Sequence, residues 1–335
     1  MTLRRAARIL FLAAGTTLVA APLRAQSAAV VDPLAVPAWA FPTTSPDALT
    51  LKAPFDSVTP LHVPTSVRSY TMAQVKNQNG PPDWYPESHP PTPDVVAHGR
   101  ARAMMACGYC HLPDGQGRTE NATLSGLPAA YMMRQLDDLK TRARRGALDS
   151  WASTANMHRV ADSVTQEEAL AASRYFARIK AKRRFHVVEG AEVPVTYQAG
   201  LLYAVKPGAG SEPIGQRIIE VADDVQAHEL RDAKATYTAY VPSGAIATGK
   251  RLATRKEKVP LRSCVSCHGP ALLGVGEVPP IAGRSPTYLF RQLLAFRNGA
   301  RTGALSVPMQ KVAASLSMDE MISVVAYAGS LRPSR

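Results

Sequence analysis

The sequence predicts a mainly α protein in which one small helical domain occurs twice, with a β-rich insert between the copies. Three observations carry that expectation. Residues recur at a fixed spacing, helix-start signals recur with them, and the segment in between changes its period. At a spacing of 157, Gly126 falls on Gly283, Tyr131 on Tyr288, and Arg134-Gln135-Leu136 on Arg291-Gln292-Leu293. Gly146-Ala147-Leu148 falls on Gly303-Ala304-Leu305 at the same spacing. A longer loop over 149–156 of the first copy then shifts the spacing to 152, where Met157 matches Met309, Ala161 matches Ala313 and Tyr175 matches Tyr327.

Each copy reads as helices in one order. Short helices are expected over Asp94 to Met104 and Ala245 to Ala253. Longer ones follow over Ala129 to Arg145 and Pro286 to Ala300, where apolar residues keep three-to-four spacing. The final helices open on Thr165-Gln166-Glu167-Glu168 and Ser317-Met318-Asp319-Glu320, a hydroxyl three residues before an acid in each case. Between the copies, β-branched and aromatic runs at 185–188, 193–197, 217–221 and 235–241 are broken by Gly and Pro, which predicts a small antiparallel sheet. Residues 26–93 hold 13 prolines and read as an extended arm laid over the surface. The expected division is a leader over 1–25, the arm over 26–93, the first helical domain over 94–182, the insert over 183–242 and the second domain over 243–335.

Both copies begin with a chemical signature. Cys107-Gly108-Tyr109-Cys110-His111 and Cys264-Val265-Ser266-Cys267-His268 are each C-x-x-C-H, the attachment pattern of a c-type haem. Two thiols three positions apart can form thioethers to the two vinyl groups of one porphyrin, and the adjoining imidazole then reaches the iron. The chain has four cysteines, and these strings consume all of them. A zinc site would bring two such pairs within roughly 12 to 20 residues, whereas these pairs lie 157 apart. Disulfides would require neither histidine. The expected cofactors are therefore two covalently attached haem c groups, held by Cys107 and Cys110 and by Cys264 and Cys267.

The start of the chain agrees with export. Arg4, Arg5 and Arg8 precede an apolar run from Ile9 to Ala21, and Ala25 ends a small-residue cleavage pattern. Haem joins C-x-x-C-H outside the bacterial inner membrane, so a periplasmic location is expected. The formal charge is +13, and loss of the leader's four arginines, with no acid, leaves +9. No nucleic-acid module is recognisable and the expected compartment argues against one, so no nucleic-acid partner is expected. A basic face for an acidic protein partner, or for an anionic membrane surface, is the expected use of that charge. Lys250 to Arg262, including Arg255, Lys256 and Lys258, is the candidate stretch because it runs into the second haem string.

Each half resembles a class I cytochrome c domain, and the tandem resembles the diheme cytochrome c4 family. The resemblance rests on the two C-x-x-C-H strings, the two Y-x-x-R-Q-L helices, and Met157-x-x-x-Ala-x-x-Val-Thr beside Met309-x-x-x-Ala-x-x-Leu-Ser. It covers residues 94–182 and 243–333. The arm, the long insert and about seven extra residues before Cys264 depart from it. The resemblance implies His111 and His268 as iron ligands, each with its second ring nitrogen bound to a carbonyl ahead of a P-x-[LI]-x-G turn. Pro279-Pro280-Ile281-Ala282-Gly283 fits that turn, whereas Ala122-Thr123-Leu124-Ser125-Gly126 has Ala where Pro is expected.

A thioether is a soft neutral ligand that raises the potential of a His/Met haem. Met157 and Met309, each read in a loop before a final helix, are the expected sixth ligands, with His158 the competitor for the first haem. Met104, Met105, Met132, Met133, Met318 and Met321 read as core. His62, His89, His98, His186 and His228 read as surface or loop residues. Six-coordinate irons leave no open position for a substrate, so the expected function is single-electron relay between redox proteins, not enzymatic turnover. The alternative is a cytochrome subunit of a larger oxidoreductase or oxidase complex, in which the chemistry is the same. A diheme peroxidase is the enzymatic reading, and it would need an iron that opens.

Overall fold

The computed structural model describes residues 36–42, 56–255 and 263–333, all within one unit, Val36–Arg335. The expected leader lies outside the described residues, as do Lys256, Lys258 and Arg262. The arm carries a two-stranded antiparallel pair, β1 (Pro60–Leu61) and β2 (Tyr70–Thr71), and a one-turn helix α1 (Met72–Val75) closed by a capping box on Thr71 and Gln74. It is more than an extended strap. Val63, Val75, Trp84 and Tyr85 are all buried, so its proline-rich turns fold around an apolar centre of their own.

The first repeat follows with α2 (Asp94–Ala97), α3 (Cys107–His111), α4 (Ala129–Lys140), α5 (Ala152–Ser163) and α6 (Gln166–Ala177). The helix expected to run to Met104 stops at Ala97. Gly99 adopts φ +60°, and a Cβ there would crowd the Met104 carbonyl at 2.5 Å, so the chain turns back on itself instead of continuing. The second difference lies at Met157. Residues 152–163 form α5 where a loop was expected, because an alanine-containing run with no Gly or Pro favours helix.

The insert is a five-stranded sheet in the order β3 (Phe185–Gly190), β9 (Tyr237–Pro242), β8 (Ile219–Ala222), β6 (Leu202–Val205) and β5 (Thr196–Ala199). A separate antiparallel pair joins β4 (Glu192–Pro194) to β7 (Ser211–Pro213), and helix α7 (Val225–Glu229) lies between β8 and β9. The sheet is mixed, not antiparallel: β3 runs parallel to β9 and β6 parallel to β8. Local periodicity identifies strands but carries no information about the direction of a neighbour.

The second repeat contains α8 (Ala245–Ala253), α9 (Val265–His268), α10 (Pro286–Arg297), α11 (Val307–Ala314) and α12 (Met318–Ser330). Both expected capping boxes are present, at Thr165/Glu168 and Ser317/Glu320. Met309 also lies on a helix, α11, with Pro308 in its first turn. The core here is shared. Phe290, Leu294 and Met321 pack with Ile218 and Val241 of the insert and with Ala40, Phe41 and Trp151. Among the other methionines, Met104 and Met132 are buried with the first repeat, as expected.

Helices α8 and α12 cross so closely that a Cβ on Gly249 would overlap the Ser323 carbonyl and crowd Tyr327. Gly249→Ala is expected to destabilise the fold by about 1–3 kcal/mol through overpacking. Urea unfolding of the two proteins measures it.

Candidate haem-binding cavity

The two C-x-x-C-H turns open into one continuous cavity of about 770 Å³. Cys107, Cys110, His111 and Met157 border it from the first repeat, and Cys264, Cys267, His268 and Met309 from the second. All eight candidate residues, spread from Cys107 to Met309, thus meet at one space. His158, the competing ligand, does not line it; its Nε2 lies 3.0 Å from the Arg144 carbonyl. Met105, expected in the core, borders the cavity as well, 4.0 Å from the Cys110 sulfur.

Each histidine is fixed in the same way. His111 Nδ1 lies 2.8 Å from the Ala122 carbonyl, and His268 Nδ1 lies 2.8 Å from the Pro279 carbonyl. A carbonyl can only accept, so Nδ1–H donates and Nε2 keeps its lone pair. His111 Nε2 is buried without a hydrogen-bond partner. Burial lowers the pKa of both imidazoles, which favours the neutral form that a metal requires. Burial also pushes the Cys107 thiol up to about 12 and the Cys264 thiol up to about 11. A thiol-redox C-x-x-C works with a depressed pKa, and burial moves these thiols the other way. Paired thiols, an imidazole held through its Nδ1, a thioether and a large apolar space together fit haem on each side, and the first side adds the orphaned His111 Nε2.

The polar part of the cavity comes from the repeated motif. Arg144 donates to Gln135 at 2.9 Å, Gln292 at 3.2 Å and the Tyr288 hydroxyl at 3.1 Å. Arg301, its counterpart 157 residues on, donates to Gln292 at 3.1 Å and to Gln135 at 2.5 Å. The backbones meet here too: Arg145 N–H donates to Ala300 at 2.7 Å and Thr302 N–H to Ala143 at 2.6 Å. The Gln residues of the two Y-x-x-R-Q-L motifs therefore share both guanidinium groups across a pseudo-two-fold seam. The sequence signal for Arg144 and Arg301, which the motif reading missed, is their equal spacing and their place just before the repeated Gly-Ala-Leu.

Two further arginines hold the first histidine's loop from the second repeat. Arg284 donates to the Thr123 carbonyl at 2.8 Å and the Ser125 carbonyl at 2.9 Å, and Arg291 to the Thr119 carbonyl at 3.0 Å. Burial draws both guanidinium groups down to about 10. Arg134, the counterpart of Arg291, pairs with Glu277 at 2.6 Å. His228, expected at the surface, is buried, and desolvation lowers it to about 3; it sits on α7 beside Glu120 and Arg118. The His89 side chain is also buried, close to Asp83 at 3.2 Å and the Tyr175 hydroxyl at 2.9 Å.

A fold of paired C-x-x-C-H turns opening on an apolar cavity, each histidine held through its Nδ1 by a backbone carbonyl, defines the class of c-type cytochromes. No family model matches the chain. Among curated relatives, the thiosulfate dehydrogenase electron acceptor of Stutzerimonas stutzeri is 29% identical over 235 residues, 68% of this chain and 80% of that protein. Cytochrome c4 of Azotobacter vinelandii is 24% identical over 240 residues, 69% of this chain and 87% of its own. Cytochrome c-554(548) of Halomonas halodenitrificans is 35% identical over 69 residues, 20% of this chain and 83% of its own. The chain belongs to the c-type cytochromes and is of the diheme, cytochrome c4-like kind, with two covalently bound haem c groups.

Behind the seam, Glu220 on β8 is buried and accepts from Ser285 Oγ at 2.7 Å and from Thr287 N–H at 3.2 Å, at the start of α10. Burial pushes its carboxyl up from 4.5 to about 7, against those hydrogen bonds. A carboxyl raised on folding holds its proton more tightly in the native state, so its contribution is lost as pH rises from 4.5 through about 7. Glu220→Gln is expected to gain roughly 3 kcal/mol over the parent between pH 4.5 and 8. Urea midpoints across that range measure the difference.

Proposed function

We propose that the chain is a periplasmic relay for single electrons, with one haem held in each of two cytochrome c domains over 94–182 and 243–335. The observation that carries this reading is the single cavity onto which both attachment turns open. Cys107 and Cys110 would anchor one group and Cys264 and Cys267 the other. His111 with Met157, and His268 with Met309, would complete the two irons. When bound, each haem supplies a reversible ferric/ferrous couple, tuned upward by the thioether.

The protein's own residues do the rest. Ala122 and Pro279 hold the imidazole planes through their carbonyls, and Pro279 constrains its loop more tightly than Ala122 does. The two sites therefore differ in rigidity. Arg144 and Arg301 hydrogen-bond to neutral Gln and Tyr side chains, so their buried charge suits the acidic side groups of a haem. The apolar walls keep water off the centre. Electron transfer, not turnover of a substrate, is the activity of such a protein.

Attachment of haem to C-x-x-C-H outside the cytoplasmic membrane supports the periplasmic reading. No helix among the described residues is long and apolar enough to cross a membrane. The outside partners are redox proteins. A net positive chain suits acidic ones, steered over roughly 10 Å at 0.1 M salt. Lys250 and Arg251 stand on α8, and Arg255 lies 4.0 Å from Glu320. The second reading, a subunit held in a larger oxidoreductase, is favoured by one observation: relatives include an electron acceptor that bears a dehydrogenase's name. Co-purification from native membranes separates a subunit from a free carrier.

Met309→Ala is expected to remove about half of the long-wavelength ferric methionine–iron absorption, because one of two His/Met centres loses its thioether. An unchanged band overturns Met309 as a ligand, and Met157→Ala tests the first site in the same way. Arg301→Gln is expected to lower a haem potential by on the order of 50 mV, since removing a nearby buried cation favours the ferric state, while Arg301→Lys should hold it closer to the parent. A potentiometric titration reads both.

A further inference from the structure

The two attachment turns have opposite surroundings. In the second repeat Ser266 and Cys267 are exposed, as are Pro270, Ala271, Val275, Gly276 and Glu277 after them. In the first repeat residues 112–120 are buried apart from half-buried Arg118. Glu120 and Glu277 occupy equivalent positions 157 apart, yet their side chains are 4% and 61% exposed. The same motif in the same fold has been covered once and left open once.

The cover comes from the two segments that lie outside the repeat. Leu112, directly after the first histidine, is fully buried among Val63, Val75, Trp84 and Tyr85 of the arm and Leu230 and Ala233 of the insert. The Trp84 indole donates to the Leu230 carbonyl at 2.8 Å, which ties arm to insert. Arg231 then ties both to the attachment turn. It donates to the Val75 carbonyl at 3.0 Å and to the Tyr109 carbonyl, and its guanidinium lies 3.7 Å from the centre of the Tyr109 ring. Arg184, from the start of the insert, reaches the Gly117 carbonyl at 2.6 Å.

A thioether marks the edge of the porphyrin it binds, and electron tunnelling decays exponentially with distance. A partner kept off the first turn by arm and insert exchanges slowly there. We infer that the arm and insert form a clasp that insulates the first attachment site, and that an outside redox protein exchanges electrons at the Cys267–Glu277 face of the second. This inference rests on the relay reading above. The exchange moves one electron: the partner is oxidised as the second site is reduced, or the reverse, and no bond or proton is involved. The open face is small and nearly neutral, with its one carboxylate, Glu277, held by Arg134. It fits a partner with an apolar contact patch, approached under longer-range charge steering.

The test uses the diheme holoprotein and hexacyanoferrate(III), a trianion, as oxidant in stopped flow at low salt. Ala271→Lys should speed and Ala271→Glu should slow the bimolecular phase, each by roughly threefold, whereas Glu87→Lys on the clasp should leave it unchanged. An unchanged rate in the Ala271 pair, or an equal response to Glu87→Lys, overturns the inference. Amide hydrogen exchange supplies a readout independent of electron flow. Residues 109–112 should exchange at least tenfold more slowly than 266–269, and Arg231→Ala should shrink that ratio; equal protection overturns the clasp. A diheme protein that hexacyanoferrate does not oxidise at all contradicts the relay reading instead, so the two failures are distinguishable.

Discussion

The contact on which the rest of the structure depends is the pairing of Arg144 and Arg301 across the seam between the repeats. Each guanidinium donates to Gln135 and Gln292, one from its own repeat and one from the other. Backbone hydrogen bonds on either side fix the register of the two segments. Buried cations without this network would carry a large desolvation cost, so the geometry has little freedom once the repeats meet. It also explains why one cavity serves both attachment turns. The seam brings the polar ends of the two sites together, and their apolar ends diverge into separate cores around Phe176 and Phe290.

The departures from a simple tandem are integrated into that plan. The insert lends Ile218 and Val241 to the core of the second repeat and Leu230 and Arg231 to the cover of the first. Glu220 reaches from β8 to the start of α10, the helix that carries Tyr288, Arg291 and Gln292 into the seam. A buried carboxyl at a helix start is stabilised by the N–H groups there and penalised by its loss of water. Burial is the larger effect here, so its carboxyl is raised, not lowered. The arm contributes Trp84 and Val75 to the first site and Phe41 to the shared core, where Arg291 lies 5.5 Å from the Phe41 ring centre and 4.6 Å from that of Trp151.

Much of the site was legible in the chain because its chemistry is local. C-x-x-C-H is a five-residue pattern, and a helix start needs only a hydroxyl and an acid three positions on. The paired methionines were legible for a different reason: a repeat compares a sequence with itself, so equal context substitutes for coordinates. Their surroundings were not legible. Met157 and Met309 lie on helices where loops were expected, since sequence spacing alone does not separate a short helix from a loop. The buried His228 and His89 were equally invisible, because each is enclosed by residues distant in sequence.

What the sequence determined by itself is the set of groups: two haem attachment strings, their histidines, matched methionines, and a helical frame used twice. These follow from spacing along one chain, where bond lengths and helical pitch fix which side chains can act together. What only the tertiary structure decided is how the two sets differ. Equivalent residues Glu120 and Glu277 end up buried and exposed because arm and insert, remote in sequence, fold over one string and not the other. Strand direction in the insert and the arginine seam were settled in the same way. They depend on pairings between segments that are not neighbours along the chain, and no local pattern records which surface a segment will meet.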